Sequence, residues 1–232
     1  MEFTKSLIKG KLVKRYKRFF TDIKVNKEIV TAHCPNTGSM EGLLNENNEV
    51  WISKNNNPKR KLKYTLEIIK VKKNLVGVNT HLANKIVYHG LCNNLILELK
   101  NNKKIQPEVF YNKETRFDFL INKKEQKIFV EVKNVTLFRE KKIAEFPDAI
   151  TSRGSKHLKT LIDAIKKGYK SYIIFLIQIQ RMEYFKIAKD IDNEYYQNYL
   201  IAKKLGVNFL AYRCKISPKE IKIEKKLQII DE

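Results

Sequence analysis

Cysteine is scarce: there are three, at positions 34, 92 and 214, odd in number and far apart. That excludes a disulfide framework and offers no zinc-ligand spacing, so reduced thiols in a cytosolic protein are expected. Long apolar runs are missing too. None approaches the ~20 residues a membrane span requires, and the longest, residues 172–179, has the length of a strand. The first six residues, Met1 to Ser6, lack the apolar region of a secretory signal. No membrane partner is expected, and the expected location is the cytoplasm. Acidic residues are under-represented, at 25 Asp+Glu against 47 Lys+Arg, for a formal net charge of +22. Polyanions are the natural partners of such a surface, because neutralised phosphates release counterions. Lysine outnumbers arginine, and asparagine and isoleucine are abundant, so part of the charge reflects compositional bias. Repeats, low-complexity tracts and a helix-turn-helix signature are also missing.

What is present suffices for a core: 43% of the 232 residues are hydrophobic, including 12 Phe and 11 Tyr. That length holds one large or two small domains. The chemistry concentrates around residues 117–135. Residues 128–133 read Ile-Phe-Val-Glu-Val-Lys, so on a strand Glu131 and Lys133 face the same way. A polar stretch, Asn122 to Lys127, separates them from Asp118. With a hairpin loop at 123–126, Asn122 faces Lys127 and Asp118 faces Glu131. Two carboxylates and a lysine then share one patch. Oxygen ligands for Mg²⁺ or Mn²⁺ beside an ammonium suit phosphodiester hydrolysis. Alternating charges on a solvated strand give the same spacing, but the apolar residues on both sides of Glu131 point to burial, where an unpaired carboxylate is costly.

Along the chain, residues 19–25, 28–33, 49–53 and 64–68 alternate as short strands between loops rich in Asn, Gly and Pro. Such strands suggest a small β-barrel, of which the OB-fold is one form. The pattern changes near residue 78. Helices are expected at 79–89, with Gly90 as a stop, at 155–167 and at 193–205, the last two ended by Gly168 and Gly206. Strands are expected at 104–111, 117–121, 127–135, 172–179 and 207–212, the fourth buried on both faces. Together these make a mixed sheet flanked by helices, and hence an α/β (α+β) protein divided into residues 1–78 and 79–232.

Three early runs carry a family resemblance: His-Cys-Pro-Asn-Thr-Gly-Ser-Met (33–40), Asn-Pro-Lys-Arg-Lys-Leu (57–62) and Val-Gly-Val-Asn-Thr (76–80). So do Phe-Asp-Phe-Leu (117–120), Val-Glu-Val-Lys-Asn-Val-Thr-Leu (130–137) and Phe-Pro-Asp-Ala-Ile-Thr-Ser-Arg-Gly-Ser-Lys-His-Leu (146–158). The chain resembles the sugar fermentation stimulation protein A family over nearly its whole length. The resemblance implies an OB-like domain followed by a restriction-endonuclease-like domain of the PD-(D/E)xK class, with DNA binding. In that class the matching positions, Asp118, Glu131 and Lys133, form the metal site. Phe117 stands where the class name has proline.

Further candidates surround these. Glu108 could add a third carboxylate, and the backbone carbonyl of Val132 a further ligand. Arg153, Lys156 and His157, at the start of a helix, suit phosphate contact, and Arg181 follows a buried strand. In the first domain, Arg15 and Arg18 sit among aromatics as in single-strand binders. Phe19 and Phe20 read as core. Lys59, Arg60 and Lys61 form a basic loop able to track a backbone. Cys34 beside His33 lacks an oriented base, so the 33–40 loop reads as structural and turned towards the second domain. The expected function is DNA binding with divalent-metal-dependent nuclease activity. A non-catalytic DNA-binding regulator of sugar (maltose) metabolism genes is the alternative, and RNA in place of DNA a third reading. Strandedness, polarity and oligomeric state are not written in the sequence.

Overall fold

The computed structural model describes residues 1–231. Five strands open the chain: β1 (Ile8–Tyr16), β2 (Phe20–Val25), β3 (Glu28–His33), β4 (Glu49–Lys54) and β5 (Tyr64–Val71). They are hydrogen-bonded in the order β3-β2-β1-β4-β5, and β3 also pairs in parallel with β5 through Ala32↔Tyr64 and His33↔Thr65. That last pairing closes the barrel and removes its edges. Leu12, Ile23, Ala32, Val50, Ile52 and Leu66 fill the interior. This is the OB-like barrel the sequence predicts. Its central strand, β1, starts well before the aromatic-basic run at residues 14–20 and is not among the expected strands, because four of its nine residues are Lys or Arg and Leu12 alone is fully buried. Phe19 is exposed and stacks on His33 rather than entering the core.

A short strand, β6 (Asn74–Gly77), pairs with β5, and Val76 bridges to Ile179 of the second sheet. The rest comprises α1 (Ala83–Cys92), β7 (Lys104–Phe110), β8 (Arg116–Lys123), β9 (Gln126–Val135), β10 (Ile143–Phe146), α2 (Ser152–Lys166), β11 (Lys170–Ile177), β12 (Tyr184–Ile187), α3 (Asn193–Lys204), β13 (Asn208–Ile216) and β14 (Ile221–Ile229). The expected division at residue 78 falls between β6 and α1. Eight strands form one sheet in the order β10-β12-β14-β13-β11-β9-β8-β7. β11 lies parallel between β9 and β13, and its run from Ile173 to Ile177 is wholly buried. A strand covered on both faces has no need of a polar side, which is why it reads as continuous apolar sequence.

α1 covers one face through Ile86, Val87 and Leu91, which cluster with Val130, Val132, Ile174 and Leu176. α2 and α3 cover the other through Leu158, Leu161, Tyr195 and Tyr199. α2 begins three residues before the predicted start, because the Thr151 hydroxyl caps it by accepting the Gly154 N–H (3.0 Å). Gly168 and Gly206, at φ +84° and +96°, terminate α2 and α3 as predicted. Gly90 does not stop α1. It lies inside the helix, where an added Cβ would come within 2.6 Å of Ile223 Cδ1, so it serves close packing. The periodicity missed β10 and β12, only four residues each, and β14, whose lysines interrupt its apolar face. Among the described residues no helix is long and apolar enough to cross a membrane.

Candidate functional site

The β8–β9 hairpin turns at Lys124 and Glu125, with Lys124 at φ +54°, and pairs Lys123 with Gln126, Asn122 with Lys127 and Phe119 with Val130. The loop is tighter than predicted, but its register is the one that sets Asp118 opposite Glu131. At Asp118 the regular alternation breaks. Phe117 packs with Phe129 and His157 on one face, whereas Phe119 packs on Tyr88 of α1 on the other. The carboxylate takes over where the ladder ends: Oδ2 accepts the Val132 N–H (2.7 Å), and Oδ1 accepts from Asn84 Nδ2 of α1 (2.7 Å). Burial, and then the charge of Glu131, push the Asp118 carboxyl up to about 6.

Glu131 is 4% exposed. Its Oε1 accepts from Lys133 Nζ (2.8 Å) and from His157 Nδ1. That leaves His157 Nε2 to accept from Arg153 Nε (3.5 Å). Burial pushes the Glu131 carboxyl up, but Lys133 and then His157 outweigh it and hold it below the usual range. The other oxygen, Oε2, is buried with no hydrogen-bond partner. An ionised carboxylate with one oxygen stripped of water and left unpaired is costly, and an oxygen-ligated cation relieves that cost. Mg²⁺ fits this donor set, because it typically takes one or two carboxylates and completes its shell with water and phosphate oxygens. Among the described residues no three His, Cys, Asp or Glu side chains gather into a metal-binding group, so the protein offers two carboxylates and backbone.

The other predicted residues fall in different places. Glu108, at φ +56° in β7, is engaged by Arg116 (2.8 Å) and reaches Asp118 only through Asn84 (3.5 Å from Glu108 Oε1). His157 is buried against Glu131 rather than free for phosphate, and Arg153 lies beside it. Lys156, on the outer face of α2, pairs with Glu114 (2.9 Å). Arg181, at φ +62°, lies beyond the end of β11, remote in register from Ile173 and Phe175, the partners of Glu131 and Lys133. Sequence reasoning missed Asn84. Asn84 is the second residue of α1, where an asparagine is ordinary, and no spacing rule links it to a strand residue 34 positions away.

The barrel's predicted contact cations lie at the end of β1 (Arg15), in the β1–β2 turn (Arg18) and in the β4–β5 loop (Lys59, Arg60 and Lys61). Arg15 is engaged by the 33–40 loop: it donates to the carbonyls of Arg18 (2.8 Å), Asn36 (2.8 Å), Gly38 (3.1 Å) and Ser39 (3.3 Å). Arg18, at φ +61°, is exposed in the turn. Lys59 and Lys61 are exposed, and Arg60 Nη2 donates to Thr65 Oγ1 (3.3 Å). Cys34 is fully buried against Met40 Sδ (3.5 Å), which suits packing rather than nucleophilic attack. The loop does face the second domain, where Thr80 donates to Pro35 O (2.6 Å) and Asn36 Nδ2 lies 3.5 Å from Thr136 Oγ1. Two clefts border the barrel. One, of about 620 Å³, is lined by Arg15, Arg18, Asn134 and Ile150. The other, of about 670 Å³, is lined by His33, Arg60, His81 and Lys85.

Comparison with known proteins covers nearly the whole chain. Residues 13–78 match the family described as the SfsA N-terminal OB domain, and residues 81–220 match the sugar fermentation stimulation protein RE domain. The sugar fermentation stimulation protein homolog of Pelagibacter ubique is 75% identical over 231 residues, covering 100% of both chains. That of Pseudoalteromonas atlantica is 44% identical, covering 99% of this chain and 100% of its own. The solved structure of Pyrococcus furiosus SfsA in complex with Ca²⁺ superposes with a TM-score of 0.89 at 24% identity, over 100% of this chain and 98% of that one.

Proposed function

Since the chain belongs to the sugar fermentation stimulation protein family, we propose that it binds nucleic acid, DNA in the first instance, and hydrolyses phosphodiester bonds with a divalent cation. The observation that carries this reading is Glu131 Oε2, buried and unpartnered beside Asp118. Asp118, Glu131 and the carbonyl of Val132 would hold Mg²⁺ or Mn²⁺. When bound, the ion supplies Lewis acidity towards a phosphoryl oxygen and makes water a stronger acid. Lys133 keeps Glu131 ionised and has further N–H groups to offer a phosphoryl oxygen as negative charge develops there. His157 joins Lys133 on the same Glu131 oxygen, Oε1, and orients the carboxylate with Oε2 left free, and Asn84 with the Val132 N–H fixes both oxygens of Asp118. The Ca²⁺ complex of the Pyrococcus furiosus relative lends support to a divalent ion. The basic groups on the β1–β2 turn and β4–β5 loop occupy the positions OB-folds use for oligonucleotides.

The regulator reading gains no support from the helices: among the described residues a strand separates each α-helix from the next, so no helix-turn-helix is formed. Calorimetry of the metal-free protein with Mn²⁺, alongside cleavage of labelled single- and double-stranded DNA and RNA, tests the proposal. Asp118→Ala or Glu131→Ala should abolish ion binding and cleavage while leaving metal-free nucleic-acid affinity equal or higher. Lys133→Ala should keep the ion and lose about 10²–10³ in rate. Lys133→Arg should not restore it, since a planar guanidinium replaces a compact ammonium poorly. A wild-type protein with no Asp118- and Glu131-dependent ion site, even with DNA present, would overturn the nuclease reading.

A further inference from the structure

The 670 Å³ cleft collects more positive than negative side chains, with Glu2 and Glu67 the acidic residues in its lining. Arg60, Lys5, Lys54 and Lys85 line it, and none has an ion-pair partner within 4 Å among the described residues. Elsewhere on the surface many lysines are paired, with Glu49 between Lys9 and Lys70 and Glu183 on Lys142. Two imidazoles share the cleft, His33 from β3 and His81 from the turn before α1, with ring centroids 6.3 Å apart. His33 is held below its usual range by burial, then by the positive charges of Arg60 and His81.

The cleft is also built. Its back wall holds Glu67, buried, which accepts from Ser53 Oγ (2.6 Å) and Asn79 Nδ2 (2.8 Å). Asn79 Oδ1 in turn accepts the His81 N–H (3.1 Å) and fixes where that residue starts its turn. Glu67 therefore has both oxygens hydrogen-bonded by neutral donors; it feels the charge of Arg60 but makes no hydrogen bond or ion pair with it, which leaves the guanidinium open. Phe19 stacks on His33 and limits its swing. The Arg60 guanidinium makes a single hydrogen bond, to Thr65, which leaves the rest of its fork open. Open guanidinium N–H groups, two imidazoles and uncompensated ammonium groups form a donor set suited to several oxygens of one phosphoryl group.

We propose that this cleft binds a phosphoryl group, either the terminal phosphate of a nucleic-acid strand or free phosphate carried by a small molecule. Arg60 is the main ligand, and His33 and His81 flank it. The proposal stands on the cleft alone and needs no metal at Asp118 and Glu131. α1 joins the two places, with Lys85 lining the cleft and Asn84 holding Asp118.

Inorganic phosphate titrated into the full chain, followed by NMR of the histidine ring signals, tests the site without any knowledge of the substrate. Saturable shifts of His33 and His81 are expected, lost or weakened about tenfold in Arg60→Ala. His33→Gln and His81→Gln assign the signals. A second arm compares binding of a short oligonucleotide with and without a 5′- or 3′-phosphate. Tighter binding of one phosphorylated form, competed by inorganic phosphate and absent in Arg60→Ala, identifies a strand end as the source. Phosphate-induced shifts with no preference among the oligonucleotides support the site and identify a free phosphate compound. No shift on phosphate addition, or a shift unchanged in a folded Arg60→Ala protein, would overturn the proposal.

Discussion

Asp118 and Glu131 are neighbours of like charge held in opposite protonation tendencies. Lys133 and His157 bias Glu131 towards the ionised form, while Asp118, facing that charge from a buried position, keeps its proton to about 6. For Asp118 the linkage is that of a carboxyl whose folded-state value lies above its ordinary 3.8. The folded protein binds the extra proton between these values, so this group's contribution to stability is full below 3.8 and lost as pH rises through about 6. Asp118→Asn removes the charge but keeps an acceptor for Val132. It should raise the stability of metal-free protein at pH 7 by about 1–3 kcal/mol. The gain should vanish in unfolding experiments below pH 4 (approximately the ordinary aspartate range). Mn²⁺ should raise the melting temperature of the wild type and leave that of Asp118→Asn unchanged. An equal response in both would remove Asp118 from the ion site. Asn84→Ala acts in the opposite sense: loss of its N–H to Asp118 should push that carboxyl up further. The expected weakening of Mn²⁺ affinity at pH 7 is about tenfold, recovered at higher pH as the proton stops competing.

Helix α2 carries His157 on its second turn, so the site depends on where that helix starts. The Thr151 hydroxyl accepts the Gly154 N–H, and the Thr151 N–H donates to Asp192 Oδ2 (2.8 Å) at the start of α3. Asp192 also caps α3, through Oδ1 to the Tyr195 N–H (2.9 Å). One residue at each helix start therefore locks the pair together. Thr151→Ala should cost about 1 kcal/mol of stability, measured by urea denaturation, with an unchanged slope if the fold is otherwise intact. A loss indistinguishable from zero would mean that water replaces the cap.

Across the whole molecule, barrel and sheet are joined by backbone as well as by side chains. Gly77 N–H donates to Gln178 O (2.9 Å), and Gly38 lies so close to Asp148 that an added Cβ would come within 1.9 Å of Oδ2. Burial pushes the Asp148 carboxyl up, opposed by N–H groups of Met40 and Ser39 in the same loop. Gly38→Ala must displace this contact and should cost about 1–3 kcal/mol, read as a lower melting temperature. The net charge of +22 acts at the same scale. Affinity for unrelated DNA sequences should be similar and fall steeply with added salt, with several counterions released. A single operator bound far more tightly than random DNA would favour the regulator.

The sequence by itself determined a good deal. Alternation placed most barrel strands, continuous apolar sequence marked β11 as buried on both faces, and Gly168 and Gly206 marked two helix ends. The same period-two rule brought Asp118, Glu131 and Lys133 to one patch, because the hairpin that joins them is local and its register follows from the loop. Only the tertiary structure decided the rest. Asn84 reaches Asp118 from another element, His157 turns from expected phosphate contact to Glu131, and Arg15 is engaged by a loop more than twenty residues away. β1 and β14 are strands by virtue of their neighbours, since backbone pairing on both sides compensates for lysine-rich faces that local propensity would not call a strand. Spacing reports on residues that one element holds together. Contacts between elements depend on how the helices and the barrel pack on the sheet, and no local pattern encodes that.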